Sequence, residues 1–89
     1  MKTIWQNKVL DVRECKVTPG QISEGDFIHV GLKWVRVTVI QRDCPRLENL
    51  SSVFTMFTCE DEAGNLVPVR DLAGMVSVLK QNKVKVVAA

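Results

Sequence analysis

Few groups in this 89-residue chain have side chains whose types suit catalysis: one histidine, three cysteines and one run of three acids. His29 would carry protons near neutral pH, but it stands between Ile28 and Val30 in an apolar run that reads as a strand. A Cys–His nucleophile pair would need it beside Cys15, Cys44 or Cys59, with a third group to orient it. No residue announces itself in that role. None of the cysteines sits in a Cys-x-x-Cys spacing, so no zinc or dithiol motif is present. Three thiols cannot all pair within one chain, and reduced thiols in a reducing compartment are the expected state. Glu60, Asp61 and Glu62 offer oxygen ligands to a hard cation, yet a calcium loop spaces its ligands at alternating positions around a glycine. Consecutive acids ahead of Ala63-Gly64-Asn65 read instead as a solvated hairpin tip. A phosphate-cradling glycine loop and a nucleophile elbow are both missing from the sequence. The expectation is a chain that is no enzyme, with no catalytic residue, no metal and no cofactor.

Side chains suited to holding a partner are better represented. Trp34 and Arg36 are two residues apart, the spacing that puts side chains on one face of a strand. Tryptophan and arginine are both enriched in interface hot spots. Thr38 and Ile40 extend that face, and Arg42, Arg46, Leu47 and Leu50 follow in a stretch rich in turn formers. For nucleic acid, Lys33, Arg36, Arg42 and Arg46, joined by Lys80, Lys83 and Lys85, would meet phosphates while Trp34 stacks on a base. Twelve Lys and Arg against ten Asp and Glu give a net charge of +2, too slight a bias to name nucleic acid as the partner. A plainer alternative has Trp34 covered by the segment around Trp5, in a sheet buried on both faces.

The elements that must position these groups show a period of two. From Trp34 to Ile40, alternation puts Val35, Val37 and Val39 on a core face and Trp34, Arg36, Thr38 and Ile40 on the other. Residues 53–60 are rich in β-branched and aromatic types and run through Asp61 to Asn65 into Leu66-Val67, which predicts a hairpin with Gly64 or Asn65 left-handed. Residues 27–30 and the Trp34 strand, separated by Gly31-Leu32-Lys33, predict another. Residues 3–6 and 9–17 can both be extended before Pro19-Gly20 forces a turn. Residues 42–52 are expected to form one long irregular loop, with a helical turn at 46–50. Residues 71–74 are read as a compact break that can make one short helical turn, and 83–87 as an edge strand.

Hydrophobic residues make up 46% of the chain and charged residues 25%, an ordinary globular balance, and the length suits one core. The expectation is therefore a single all-β domain over residues 1–89, mainly antiparallel. It should hold five to seven short strands and at most one short helical turn, with loose ends at 1–2 and 88–89. Two hairpin-linked strands, a long loop, a second hairpin, a tight turn and a final strand resemble a small SH3-like barrel, or else a strongly bent sheet, over roughly residues 22–79. That resemblance implies an architecture and no particular ligand. The longest apolar run is strand-sized, far short of the ~18 residues a membrane-spanning helix needs. Residues 1–8 meet polar groups at once and lack a signal-peptide core, so no membrane contact and a cytoplasmic location are expected.

The functional expectation is a non-enzymatic interaction module that binds a protein or a protein–nucleic acid assembly, as an accessory or inhibitory factor. Trp34, Arg36, Thr38, Arg42, Arg46, Leu47 and Leu50 are its candidate binding residues. Direct nucleic-acid binding is the alternative, and a thiol- or metal-dependent enzyme a third. The edge strand at 83–87 would also give a route to a homo-oligomer.

Overall fold

The computed structural model describes residues 1–82. They form β1 (Lys2–Trp5), β2 (Lys8–Val17), β3 (Phe27–Val30), β4 (Lys33–Pro45), β5 (Val53–Glu60), β6 (Leu66–Arg70) and β7 (Val76–Gln81), with one 3-10 turn at Pro19–Gln21. Every strand pair is antiparallel, in the order β1-β2-β7-β3-β4-β5-β6. The all-β antiparallel expectation therefore holds. Strands β3 to β6 are successive hairpin neighbours, and β7 crosses back to lie between β2 and β3. These pairs leave the sheet open, with β1 and β6 at its two edges. The strand expected at 83–87, with Lys83 and Lys85, lies outside the described residues, as does the loose end at 88–89. Among the described residues no helix is long and apolar enough to cross a membrane.

Turn chemistry fixes the hairpins. Gln6 and Asn7 join β1 to β2 with φ of 48° and 65°, both left-handed as a two-residue hairpin of the right twist requires. Gly64, at φ 89°, supplies the left-handed residue between β5 and β6. The Asp61 side chain ties that turn by accepting from the Asn65 backbone N–H at 2.9 Å. Residues 1–2, read from sequence as a loose end, join the ladder: Lys2 opens β1, and the Met1 carbonyl accepts from the Val12 N–H at 2.8 Å.

The sheet buries apolar side chains on both faces at its centre. Ile28, Val35, Val37, Phe57, Cys59 and Val78 belong to a cluster on one face. On the other, Trp5, Val12, Phe27 and Leu79 form a second, with Leu10 and Trp34 packed against it. Neighbours in sequence point to opposite faces of a strand, so burial of both Phe27 and Ile28, and of both Val78 and Leu79, means that β3 and β7 are covered twice.

Two bulges in β4 correct the sequence reading. Val37 pairs with Cys59 but Val39 with Thr58, so Thr38 is an extra residue and the side-chain alternation reverses past it. Ile40 consequently packs against the main cluster, while Val39, expected in the core, is 45% exposed. A second shift, between Gln41 and Cys44, carries Asp43 at φ 58° and lets the strand run on to Pro45. The irregular loop expected over 42–52 therefore shrinks to residues 46–52. No helix forms at 46–50 or 71–74, and the helical turn present stands at Pro19–Gln21, where proline pre-sets the backbone.

Candidate functional site

The hairpin of β1 and β2 folds back over the second face of the sheet. Trp5, next to the tight turn, is 7% exposed and meets the Phe27 ring edge-on, with centroids 4.9 Å apart. At the hairpin tip, the Gln6 amide donates to the Glu60 carboxylate and to the Asp61 carbonyl. Between β1 and the β3–β4 hairpin the fold leaves a cavity of about 400 Å³. Trp5, Phe27, Trp34 and Leu79 give it an apolar lining, and Lys2, Lys33, Glu14 and Glu62 bring both signs of charge.

Trp34 is half-buried in that wall. It pairs with His29 across the β3–β4 hairpin, and the two rings lie 4.9 Å apart at 50°. Arg36 pairs with Phe27, and its guanidinium carbon sits 5.8 Å from the centre of the Phe27 ring. A single cross-strand row thus holds Glu14, Leu79, Phe27, Arg36 and Glu60 side by side. Trp34 and Arg36 share the face that the sequence predicted. The plainer alternative is met halfway, because the segment around Trp5 does reach the same face yet leaves Trp34 part-exposed beside a cavity.

The remaining candidates lie elsewhere. The Thr38 hydroxyl donates to the Thr58 carbonyl at 2.9 Å, which ties it to the bulge. Arg42 reaches the Ile22 carbonyl at 3.4 Å and that of Gly20 at 3.5 Å. Arg46 follows the far end of β4, twelve positions along the chain from Trp34. Arg46 belongs to a second cluster in which its guanidinium lies 5.2 Å, and that of Arg70 5.7 Å, from the centre of the Phe54 ring. Asp71 pairs with both arginines, and the Arg46 bond holds its carboxyl below the usual range. Leu47 and Leu50, 92% and 75% exposed, extend from the 46–52 loop and do not line the groove.

Among the described residues, three basic residues of the nucleic-acid alternative face carboxylates. Lys33 lies 3.6 Å from Asp61, Arg46 is paired with Asp71, and Lys80 with the buried carboxylate of Asp26. Of the groups in the enzyme alternative, Cys15 and Cys59 are kept from His29. His29 alternates with Ile28 and so faces away from the cluster that contains Cys59 and packs Cys15. Burial also pushes the Cys59 thiol up to about 11, which leaves it protonated and poorly nucleophilic near neutral pH.

Sequence reasoning placed the segment around Trp5 over Trp34 as an alternative, but missed its packing on Phe27 and the part of Leu79 and Lys2 in the groove. The available signal was Trp5 beside Gln6-Asn7, a turn able to fold a large aromatic back onto the sheet. Comparison with protein-family models, curated proteins and solved structures finds no match for this chain.

Proposed function

We propose that this chain is a non-enzymatic protein-interaction module, an accessory or inhibitory factor in the cytoplasm, whose docking site is the groove walled by Trp5, Phe27 and Trp34. The observation that carries this reading is the part-exposed Trp34 indole beside an apolar cavity, with Arg36 on the same face. Large aromatic and arginine side chains at the centre of a pocket are where interfaces concentrate their energy, and polar rims with charges of both signs suit polypeptide. A phosphate backbone calls for unpaired cations in a row, and here Lys33, Arg46 and Lys80 each face a carboxylate.

The test is affinity capture on the immobilised chain and on Trp34→Ala, with and without nuclease. The reading requires proteins that are retained after nuclease treatment and lost with Trp34→Ala. Loss of everything on nuclease treatment would replace it with the nucleic-acid alternative, and retention by Trp34→Ala would remove the groove from consideration.

A further inference from the structure

The groove has one wall of an unusual kind: all of residues 1–5 line it, and four of them are the edge strand β1. Among the described residues β1 pairs with β2 alone. Antiparallel pairs alternate between those that exchange backbone hydrogen bonds and those that do not. Val12 donates to the Met1 carbonyl, so the hydrogen-bonded pairs continue through Thr3↔Leu10 and Trp5↔Lys8. Lys2 and Ile4 are left with their N–H and C=O groups turned to the outer edge. The opposite edge of the sheet, β6, carries Pro68, which has no N–H to offer a further strand.

Resting on the protein-binding reading above, we propose that the groove receives an extended peptide segment of a partner protein, which adds as a strand to the outer edge of β1. The backbone of the segment bonds to Lys2 and Ile4. One of its apolar side chains enters the cavity between Trp5, Phe27 and Trp34. Alternate side chains of an added strand fall on opposite faces, so a single pocket under a four-residue edge selects one apolar residue flanked by polar ones. Lys2 against Glu14 and Glu62 complements flanking residues of both signs. The Trp5 indole N–H, buried without an acceptor, stands on the strand that the segment would join.

A heptapeptide library displayed on phage serves as the probe, with the full chain immobilised. Selected peptides are then titrated into isotopically labelled chain while amide exchange is followed by NMR. Strand addition predicts that the Lys2 and Ile4 amides, exchanging freely alone, become protected on binding, while Thr3 and Trp5 are protected in both states. It also predicts that Ile4→Pro weakens binding about fivefold to tenfold, as loss of one outward hydrogen bond implies, with Ile4→Val near wild type. Thermal melting checks that Ile4→Pro still folds, and the exchange pattern stands without that variant. Peptides that need Trp34 but leave the Lys2 and Ile4 amides unprotected would overturn strand addition and keep the protein-binding reading. Failure to select any peptide that depends on Trp34 would overturn both.

Discussion

The Trp5 indole stands at 70° to the Phe27 ring with 4.9 Å between centroids, and this contact fixes the β1–β2 hairpin over the second face of the sheet. Edge-to-face aromatic pairs add about 0.5–1.5 kcal/mol beyond area burial. Replacing a buried tryptophan by alanine costs about 3–5 kcal/mol in all. Trp5→Ala is therefore expected to lose that much in urea unfolding, and Trp5→Phe clearly less. A loss near zero for Trp5→Ala would mean that the hairpin is not held by this ring.

Lys80→Met strands a buried charge. The Asp26 carboxylate accepts from the Ser23 N–H at 2.9 Å and is paired with the Lys80 ammonium, and its side chain is 9% exposed. Removing one partner of a buried pair costs about 3–5 kcal/mol, whereas the double change Lys80→Met with Asp26→Asn should recover a substantial part. Chemical denaturation of the wild-type chain and the two variants measures both quantities.

Much of this fold was legible because its signals are local. Alternation marked β4, β-branched and aromatic content marked β5, and Gly64 or Asn65 marked the hairpin between β5 and β6, with Gly64 the one that is left-handed. The side on which Ile40 falls was not legible, since one inserted residue at Thr38 reverses the side chains that follow it, up to the second bulge after Gln41, and nothing in the local composition announces it. Of the candidate site, Trp34 and Arg36 were readable from spacing alone. Trp5 was not, because its contact with Phe27 spans 22 residues and depends on the hairpin folding back. Arg42 and Arg46 were grouped with Trp34 by closeness in sequence, and the extension of β4 to Pro45 separates them.

Cys59 gives the folded chain an alkaline limit. Burial raises its thiol from 9.0 to about 11, so the folded state keeps a proton that the unfolded state releases. The stability this contributes is complete below pH 9 and is lost as pH rises from 9 to about 11. Thermal melts across that window should show the decline, and Cys59→Ala should flatten it. Thiol titration of the native chain near pH 8 should modify Cys59 last, after the half-buried Cys15 and Cys44.

Acid acts through hydrogen-bonded carboxylates. Asp71 is held low by its hydrogen bond from Arg46, and Asp61 by the backbone N–H of Asn65. A lowered carboxyl contributes stability that is present above its unfolded value of 3.8 and is lost as pH falls below it. Melting temperature should therefore drop below about pH 4, and Asp71→Asn should reduce the drop while lowering stability at neutral pH. An unchanged acid profile in that variant would assign the acid sensitivity to other carboxylates.

The most direct test of the central claim is the affinity of a captured protein partner for the wild-type chain and for Trp34→Ala, each at low and at raised salt. A groove anchored on Trp34 predicts a loss of about 2 kcal/mol or more, roughly 30-fold in Kd, on Trp34→Ala, with little change on adding salt. Equal affinity for both chains, or binding that falls away steeply with salt whatever stands at position 34, would contradict it.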